Sequence, residues 1–418
     1  MICAPAAALA RFLSLSLLVA LCALAADAGA AGPQPVVIVL SWDGTRYDYP
    51  ARAETVALAR MAREGVRAAR LTPVYPSSTF PNHVSLATGT HPDRHGIIEN
   101  SFVDRAGKKF DYSNDASWIA AEPLWITAER QNVRAAVYFW VGSETEWRGR
   151  AATYRRRPFD ARVGEAAKVD QILTWLDLPE GQRPGLIMSW WHGCDGVGHD
   201  LGPDAPEIVT QLLAQDRELA RLFAGLDSRG AWAYTTVLVA SDHGMAAARG
   251  AVDPQPALAA AGVRARVQFG AGEAQVYLAD PAQRERALAA LAEVDGVRAY
   301  PNDGLPAWMR SDFPGRSGDI TLAVDPPNVL RRSSWRLTLS SWWSALAGSH
   351  IGAHGYAPEL PEMGGIFYAL GRGVPKGVTL DEVRAIDVAP TAAALLGVSP
   401  PEQSEGKSLF RVTQTASY

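Results

Sequence analysis

Three unbroken apolar stretches, each running into a turn that carries an acid, constrain this 418-residue chain more than any other feature. They are Pro35-Val-Val-Ile-Val-Leu-Ser-Trp-Asp43-Gly44, Gly185-Leu-Ile-Met-Ser-Trp-Trp191 leading to Asp195, and Thr235-Thr-Val-Leu-Val-Ala-Ser-Asp242-His243. A strand that is apolar at nearly every position is buried on both faces, as central parallel strands are. Helical periodicity over 53–64, 160–177 and 206–226 alternates with these strands, and a shorter strand is predicted over 135–139. Strand and helix in alternation predict an α/β fold with a doubly wound, mostly parallel central sheet. In such sheets ligands bind beyond the carboxyl ends of the strands. Asp43, Asp195 and Asp242 are therefore expected along one edge.

The pattern changes after residue 245. Strands over 274–278 and 319–323 flank a helix over 281–293, which predicts a small α+β insertion spanning 246–348. The main domain then covers 33–245 and resumes over 349–412, with a strand over 365–370 and a closing helix over 386–396. Residues 1–28 read as a signal peptide: Arg11 precedes an apolar run over 12–25 that is too short to span a bilayer, and small-residue sites follow. The expected product is exported, periplasmic or extracellular, with no transmembrane segment. Cys3 and Cys22 lie in that leader, so Cys194 is left without an internal disulfide partner and reads as a small buried residue. A net charge of −4 without a long basic stripe argues against a nucleic-acid scaffold as partner. The sequence sets no oligomeric state.

Pro76-Ser-Ser-Thr79-Phe-Pro-Asn-His83 places a hydroxyl just ahead of a short helix that runs to Gly89. Unpaired N–H groups and the positive dipole end favour an alkoxide-like nucleophile and the phosphate it attacks. The same position also serves as a plain N-cap. Candidate metal ligands are Asp43, Asp195 with His199, Asp242 with His243, and His354, each with glycine close by. Mixed carboxylate and imidazole donors suit Zn2+ or a similar ion. Six of them plus a hydroxyl are enough for two ions, which can clamp the attacking and leaving oxygens of a displacement at phosphorus. Singly, each acid could be a turn cap; gathered at one sheet edge, the carboxylates would repel unless a cation joined them. His91 and His95 read as loop residues, and the five arginines within 148–157 as a solvated face with a second use as a phosphate-attracting rim.

Taken in order, Ser41-Trp-Asp43-Gly, Thr79-Phe-Pro-Asn-His83, Leu86-Ala-Thr-Gly-Thr-His-Pro-Asp-Arg-His-Gly-Ile97, Asp195-x-x-x-His199, Ser241-Asp-His-Gly-Met245 and His354-Gly-Tyr356 resemble the nucleotide pyrophosphatase/phosphodiesterase family of the alkaline phosphatase superfamily. The resemblance runs over about 36–397. It implies one zinc on Asp195, His199 and His354, and a second on Asp43, Asp242 and His243 with the Thr79 oxygen beside it. It implies Thr79 as nucleophile, Asn100 with the Thr79 N–H as donors to a phosphoryl oxygen, and Phe80 and Tyr154 as aromatics around a nucleobase or other flat group. Val141 stands where the family's Phe-Trp-Pro-Gly-Ser has proline, a departure that bears on the pocket's shape.

The expected activity is that of an exported two-zinc phosphodiesterase/pyrophosphatase, cleaving nucleotide-type diester or phosphoanhydride bonds through a phospho-threonine. Lysophospholipid or choline phosphodiesters are the alternative substrates, and a non-catalytic metal-binding protein is the alternative of another class. A monoesterase needs a cation for the extra phosphoryl charge, and among the motif segments only Arg94 offers one. A sulfatase needs Cys or Ser in a Cys/Ser-x-Pro-x-Arg context, which does not occur around Thr79.

Overall fold

A computed structural model describes residues 33–332 and 351–410. The leader expected over 1–28, the end of the insertion over 333–348, and residues 349, 350, 411 and 412 of the main domain lie outside the described residues. The first half of the fold runs β1 (Val36–Trp42), α1 (Ala57–Glu64), β2 (Val66–Ala68), α2 (Thr79–Thr88), β3 (Ala135–Tyr138), β4 (Tyr154–Arg156), α3 (Glu165–Leu176), β5 (Leu186–Trp191), α4 (Asp195–Leu201), α5 (Pro206–Ser228) and β6 (Thr235–Ala240). A second group follows: β7 (Ala265–Phe269), β8 (Glu273–Leu278), α6 (Arg284–Ala292), β9 (Arg298–Pro301) and β10 (Ile320–Ala323). The chain returns with β11 (Phe367–Gly371), β12 (Val378–Leu380) and α7 (Val388–Leu396). No described helix is long and apolar enough to cross a membrane.

All seven residues of β1 are buried, as its composition requires. Its pleat sends Val37 and Val39 into one core and Val36, Ile38 and Leu40 into the other. Helices α2 and α7 pack into the first core, and α1, α3 and α5 into the second. The sheet order is β12-β2-β11-β6-β1-β5-β3-β4. β1 is parallel to both β5 and β6, and β3 is parallel to β5 and β4. β11 alone runs against its neighbours β6 and β2. The expected doubly wound α/β sheet is present. Because β6, β1 and β5 are adjacent and parallel, the residues that leave their carboxyl ends emerge together.

Several boundaries differ from expectation. α1 starts at Ala57, not at residue 53, and Val56 is exposed. The cause is long-range: the Asp216 carboxylate on α5 accepts the N–H groups of Val56, Ala57 and Leu58, so the helix can begin only there. α3 starts at Glu165, because Asp160 accepts the Arg162 N–H and holds a turn. α2 begins at Thr79 itself, with Pro81 in the first turn, where its missing N–H costs nothing.

Residues 246–332 carry a second, antiparallel sheet in the order β7-β8-β10-β9, covered by Ala287 and Leu291 of α6. Its core also takes in Tyr356 and Ala353, which flank the turn bearing His354. At the β7–β8 turn, a Cβ on Gly272 would lie 2.5 Å from the Gly355 carbonyl carbon, so only glycine lets these backbones meet.

Candidate functional site

The carboxyl ends of β1 and β6 deliver Asp43, Asp242 and His243, and the turn after β5 delivers Asp195 as the first residue of α4. That turn is folded tightly against β1: the Asp43 carbonyl accepts the N–H of Cys194 at 2.8 Å and of Asp195 at 3.2 Å. Gly193 makes this possible, with φ of +57° and room for no Cβ, which would lie 1.9 Å from that same carbonyl oxygen. Cys194 is buried, its thiol pushed up to about 12 by that burial, and it serves packing rather than chemistry. His199 follows Asp195 by one helical turn, its Nε2 3.3 Å from the Asp195 carboxylate. The antiparallel pairing of 246–248 with Ile351–Ala353 brings His354 in, Nε2 to Nε2 3.1 Å from His199.

Thr79 closes the cluster: its Oγ1 is 3.1 Å from His243 Nε2. The N-cap of α2 is Ser78, not Thr79. Among the described residues the Thr79 N–H has no acceptor, whereas the next N–H, of Phe80, goes to Asn100 Oδ1 at 2.7 Å. That bond fixes the Asn100 amide, since its oxygen is taken and its NH2 remains as the donor.

Two features show that these side chains fit divalent cations. First, His199, His243 and His354 each set Nδ1 against a backbone carbonyl, of Gly352, Gly244 and Ser77 respectively, at 2.8–3.0 Å. A carbonyl only accepts, so each Nδ1 carries the proton and each Nε2 lone pair is left facing the cluster, the arrangement of metal-binding histidines. Second, Asp43 Oδ1, Asp195 Oδ1 and Asp242 Oδ2 are buried without a hydrogen bond, a costly state unless a cation takes the lone pairs. Two groups of donors lie within 4.8 Å of one another, Asp195/His199/His354 and Asp43/Asp195/His243, and a third comprises Asp43, His83 and Asp242. The electrostatics agree. Burial, then the charges of Asp242 and Asp195, push Asp43 well above the carboxylate range. Asp242 is low despite its burial, because His243 and His83 face it. Burial and His243 bring His354 down to about 3, which keeps its imidazole neutral.

His83 was not anticipated as a site residue. It lies one turn after Thr79, sets Nδ1 against the Thr79 carbonyl at 2.9 Å and takes the Ser41 hydroxyl on Nε2 at 2.7 Å. With Nδ1 on the Thr79 carbonyl and Nε2 on Ser41 it buttresses Thr79, and its ring stands beside Asp43 and Asp242 in the third donor group. Its i+4 spacing from Thr79 was the available signal.

A cleft of about 220 Å³ opens from Asp43, Thr79 and Asp195 and is walled by Phe80, Tyr112, Phe139, Val141, Phe159 and Trp190, with Asn114 at its edge. Phe80 meets Tyr112 edge-on, and Phe159 does the same with Phe139 and Trp190. The Trp190 N–H donates to Asp43 Oδ2 at 2.9 Å, which ties the wall to the ligand cluster. Tyr154 is not among the lining residues: its ring faces Trp175 and its hydroxyl donates to the Gln182 carbonyl. It stands at the amino end of β4, opposite Ala136, while the cleft lies past the carboxyl ends. Phe159, three residues beyond β4, supplies the aromatic surface instead. Among the described residues the arginines also stay out: no Lys or Arg lines the cleft, and Arg94 faces Glu405 at 3.6 Å.

Residues 37–357 match the type I phosphodiesterase/nucleotide pyrophosphatase family. The chain is 41% identical over 221 residues to an uncharacterized pyrophosphatase/phosphodiesterase of Schizosaccharomyces pombe, covering 51% of this chain and 45% of the relative. It is 28% identical over 391 residues to the venom phosphodiesterase of Naja atra, covering 88% of this chain and 45% of the relative. The chain thus spans about half the length of the curated relatives it matches. Murine ectonucleotide pyrophosphatase/phosphodiesterase 5, solved as an inactive variant in complex with AMP, superposes with a TM-score of 0.78 at 24% identity, over 88% of this chain and 96% of that one. That likeness shows a shared alkaline-phosphatase-like fold. With three quarters of its length inside the family's model, this chain belongs to the type I phosphodiesterase/nucleotide pyrophosphatase family.

Proposed function

We propose that this protein is an exported, two-zinc phosphodiesterase/pyrophosphatase that cleaves nucleotide-type phosphodiester or phosphoanhydride bonds through a phospho-Thr79 intermediate. The observation that carries the reading is the position of the Thr79 hydroxyl: at the start of α2, 3.1 Å from His243 Nε2, between unbonded carboxylate oxygens and an aromatic cleft. Export rests on the leader-like segment of the sequence and agrees with the venom relatives by name.

Asp195, His199 and His354 would hold one ion; Asp43, Asp242 and His243 would hold the other, with Thr79 Oγ1 beside it. When bound, the two ions supply Lewis-acid charge that lowers the hydroxyl pKa and offsets the charge on the leaving oxygen. The chain does the rest. His83 and the helix start fix Thr79, whose Oγ1 forms a bond to phosphorus as the bond to the leaving oxygen breaks; the hydroxyl proton passes to solvent, and the leaving oxygen takes one from it. The Asn100 amide and the Thr79 N–H donate to a non-bridging phosphoryl oxygen, where charge develops. Water then displaces Thr79 Oγ1, which recovers its proton. Phe80, Tyr112, Phe139, Phe159 and Trp190 offer flat faces to a base.

Two divalent ions per chain should co-purify and be identified as zinc by elemental analysis, with chelators abolishing turnover. Activity that survives complete metal removal rejects this assignment. Diesters should be cleaved at least ~100-fold faster than monoesters of the same phenol, since a dianionic phosphoryl group finds no Lys or Arg among the described residues of the cleft. Comparable rates on the two esters would contradict it. The same aromatic walls, with Asp43 and Asp195 below them, also suit a choline headgroup. A panel of a dinucleotide-type diester, a nucleoside triphosphate, a lysophospholipid and a choline phosphodiester decides between these substrates.

A further inference from the structure

Two carboxyl groups from distant parts of the chain meet beside Thr79 and Asn100. Glu99 precedes Asn100, and Glu273 opens β8 of the second sheet; both are buried. Glu99 Oε1 accepts the Asn100 N–H at 2.7 Å, and Oε2 accepts the Ser78 hydroxyl at 3.0 Å. Glu99 Oε2 lies against Gly270 of the β7–β8 turn, whose N–H donates to the Glu273 carbonyl at 3.0 Å, and this brings the two carboxyls side by side. Glu273 Oε2 accepts the Gln275 amide at 3.1 Å, and Gln275 in turn reaches Thr321 on β10. Among the described residues no Lys, Arg or His pairs with either acid.

Two buried carboxylates in contact without a cation cannot both be ionised, so one proton stays with the pair. Burial raises both acids, and Glu273 also feels the Glu99 charge, which puts it well above its usual range. Both Glu99 oxygens already accept from Asn100 and Ser78, so Glu99 is the carboxylate and Glu273 the donor. Gly270 leaves room for Glu99, since a Cβ there would come within 2.7 Å of Glu99 Oε2.

We propose that Glu99 and Glu273 are positioning residues: the second sheet, through the Glu273 carboxyl, holds Glu99, and Glu99 fixes Asn100 and Ser78 on the two sides of the phosphoryl-binding edge. The linkage runs Glu273, Glu99, the Asn100 N–H, then from the Asn100 side-chain oxygen to the Phe80 N–H. This gives the residues 246–332 a part in the reaction that packing alone would not. The inference rests on the proposed roles of Thr79 and Asn100.

The test uses the full-length, metal-loaded protein and a nitrophenyl phosphodiester, with kcat, KM, bound metal and melting temperature measured for each variant. Glu273→Gln keeps a donor toward Glu99 and should hold kcat within ~3-fold of wild type. Glu273→Leu removes the donor and should lower kcat ~10- to 100-fold, with KM within ~3-fold and metal content unchanged, because an oxyanion donor acts in the transition state. If the Leu variant does not fold, Glu273→Asp withdraws the acid by one methylene and should show the same loss. Equal kcat in the Gln variant and in the Leu or Asp variant overturns the proposal, as does a loss that tracks bound metal. Wild-type protein inactive on every diester of the panel overturns the underlying reaction instead, and that failure is recognised before any variant is compared.

Discussion

Thr79→Ala should lower kcat on a good diester by at least ~10³-fold while leaving both ions bound and the melting temperature within a few degrees. Among the described residues the hydroxyl's hydrogen-bond partner is His243 Nε2, and the N–H at the helix start is taken by Asn100 rather than by Thr79, so the loss falls on chemistry rather than on the fold. Inactivity alone does not separate a nucleophile from an oxygen that helps hold an ion. Stereochemistry does. A chiral phosphorothioate diester turned over in isotopic water should show net retention, since attack by Thr79 and then by water gives two inversions. Net inversion would mean that water attacks phosphorus directly, and Thr79 would lose its catalytic role. Thr79→Ser should keep roughly a tenth of the rate: the hydroxyl survives, and only the methyl group that restricts its rotamer is gone.

What the sequence disclosed about this site depended on how local each signal was. Strands β1, β5 and β6 announce themselves through unbroken apolar runs, and their order alone puts Asp43, Asp195 and Asp242 on one edge. Asp195 and His199 are one helical turn apart, so their proximity is written in the spacing. Tyr154 against Phe159 was not legible, because it turns on which end of an edge strand faces the cleft, and that depends on the pairing of β4 with β3. The start of α1 was missed for a similar reason, its cap being Asp216 on α5. Glu99 and Glu273 carry no motif at all. Their meeting follows from how the β7–β8 turn packs on the glycine after His354.

Asp43→Asn should separate stability from function in opposite directions. In the metal-free protein, Asp43 is fully buried beside Asp242 and Asp195, with Oδ1 unbonded. The amide is nearly isosteric, keeps an oxygen for the Trp190 N–H, and turns a donor toward the neighbouring carboxylates. The metal-free variant should therefore be more stable than metal-free wild type, by about 1–3 kcal/mol at neutral pH in denaturant unfolding. The pH dependence has a definite sign. Asp43's folded pKa is raised above its unfolded value, so the folded state holds a proton that the unfolded chain releases. Its acid therefore costs stability increasingly as pH climbs above about 4, the ordinary aspartate value. The variant's advantage should vanish below that pH and grow above it. With metal added the order should reverse: the variant should hold fewer ions per chain, gain less stability from them, and lose at least ~100-fold in diester turnover. A metal-free variant less stable than metal-free wild type at neutral pH would mean that Asp43 is satisfied without a cation, and the two-ion assignment would lose its main physical support.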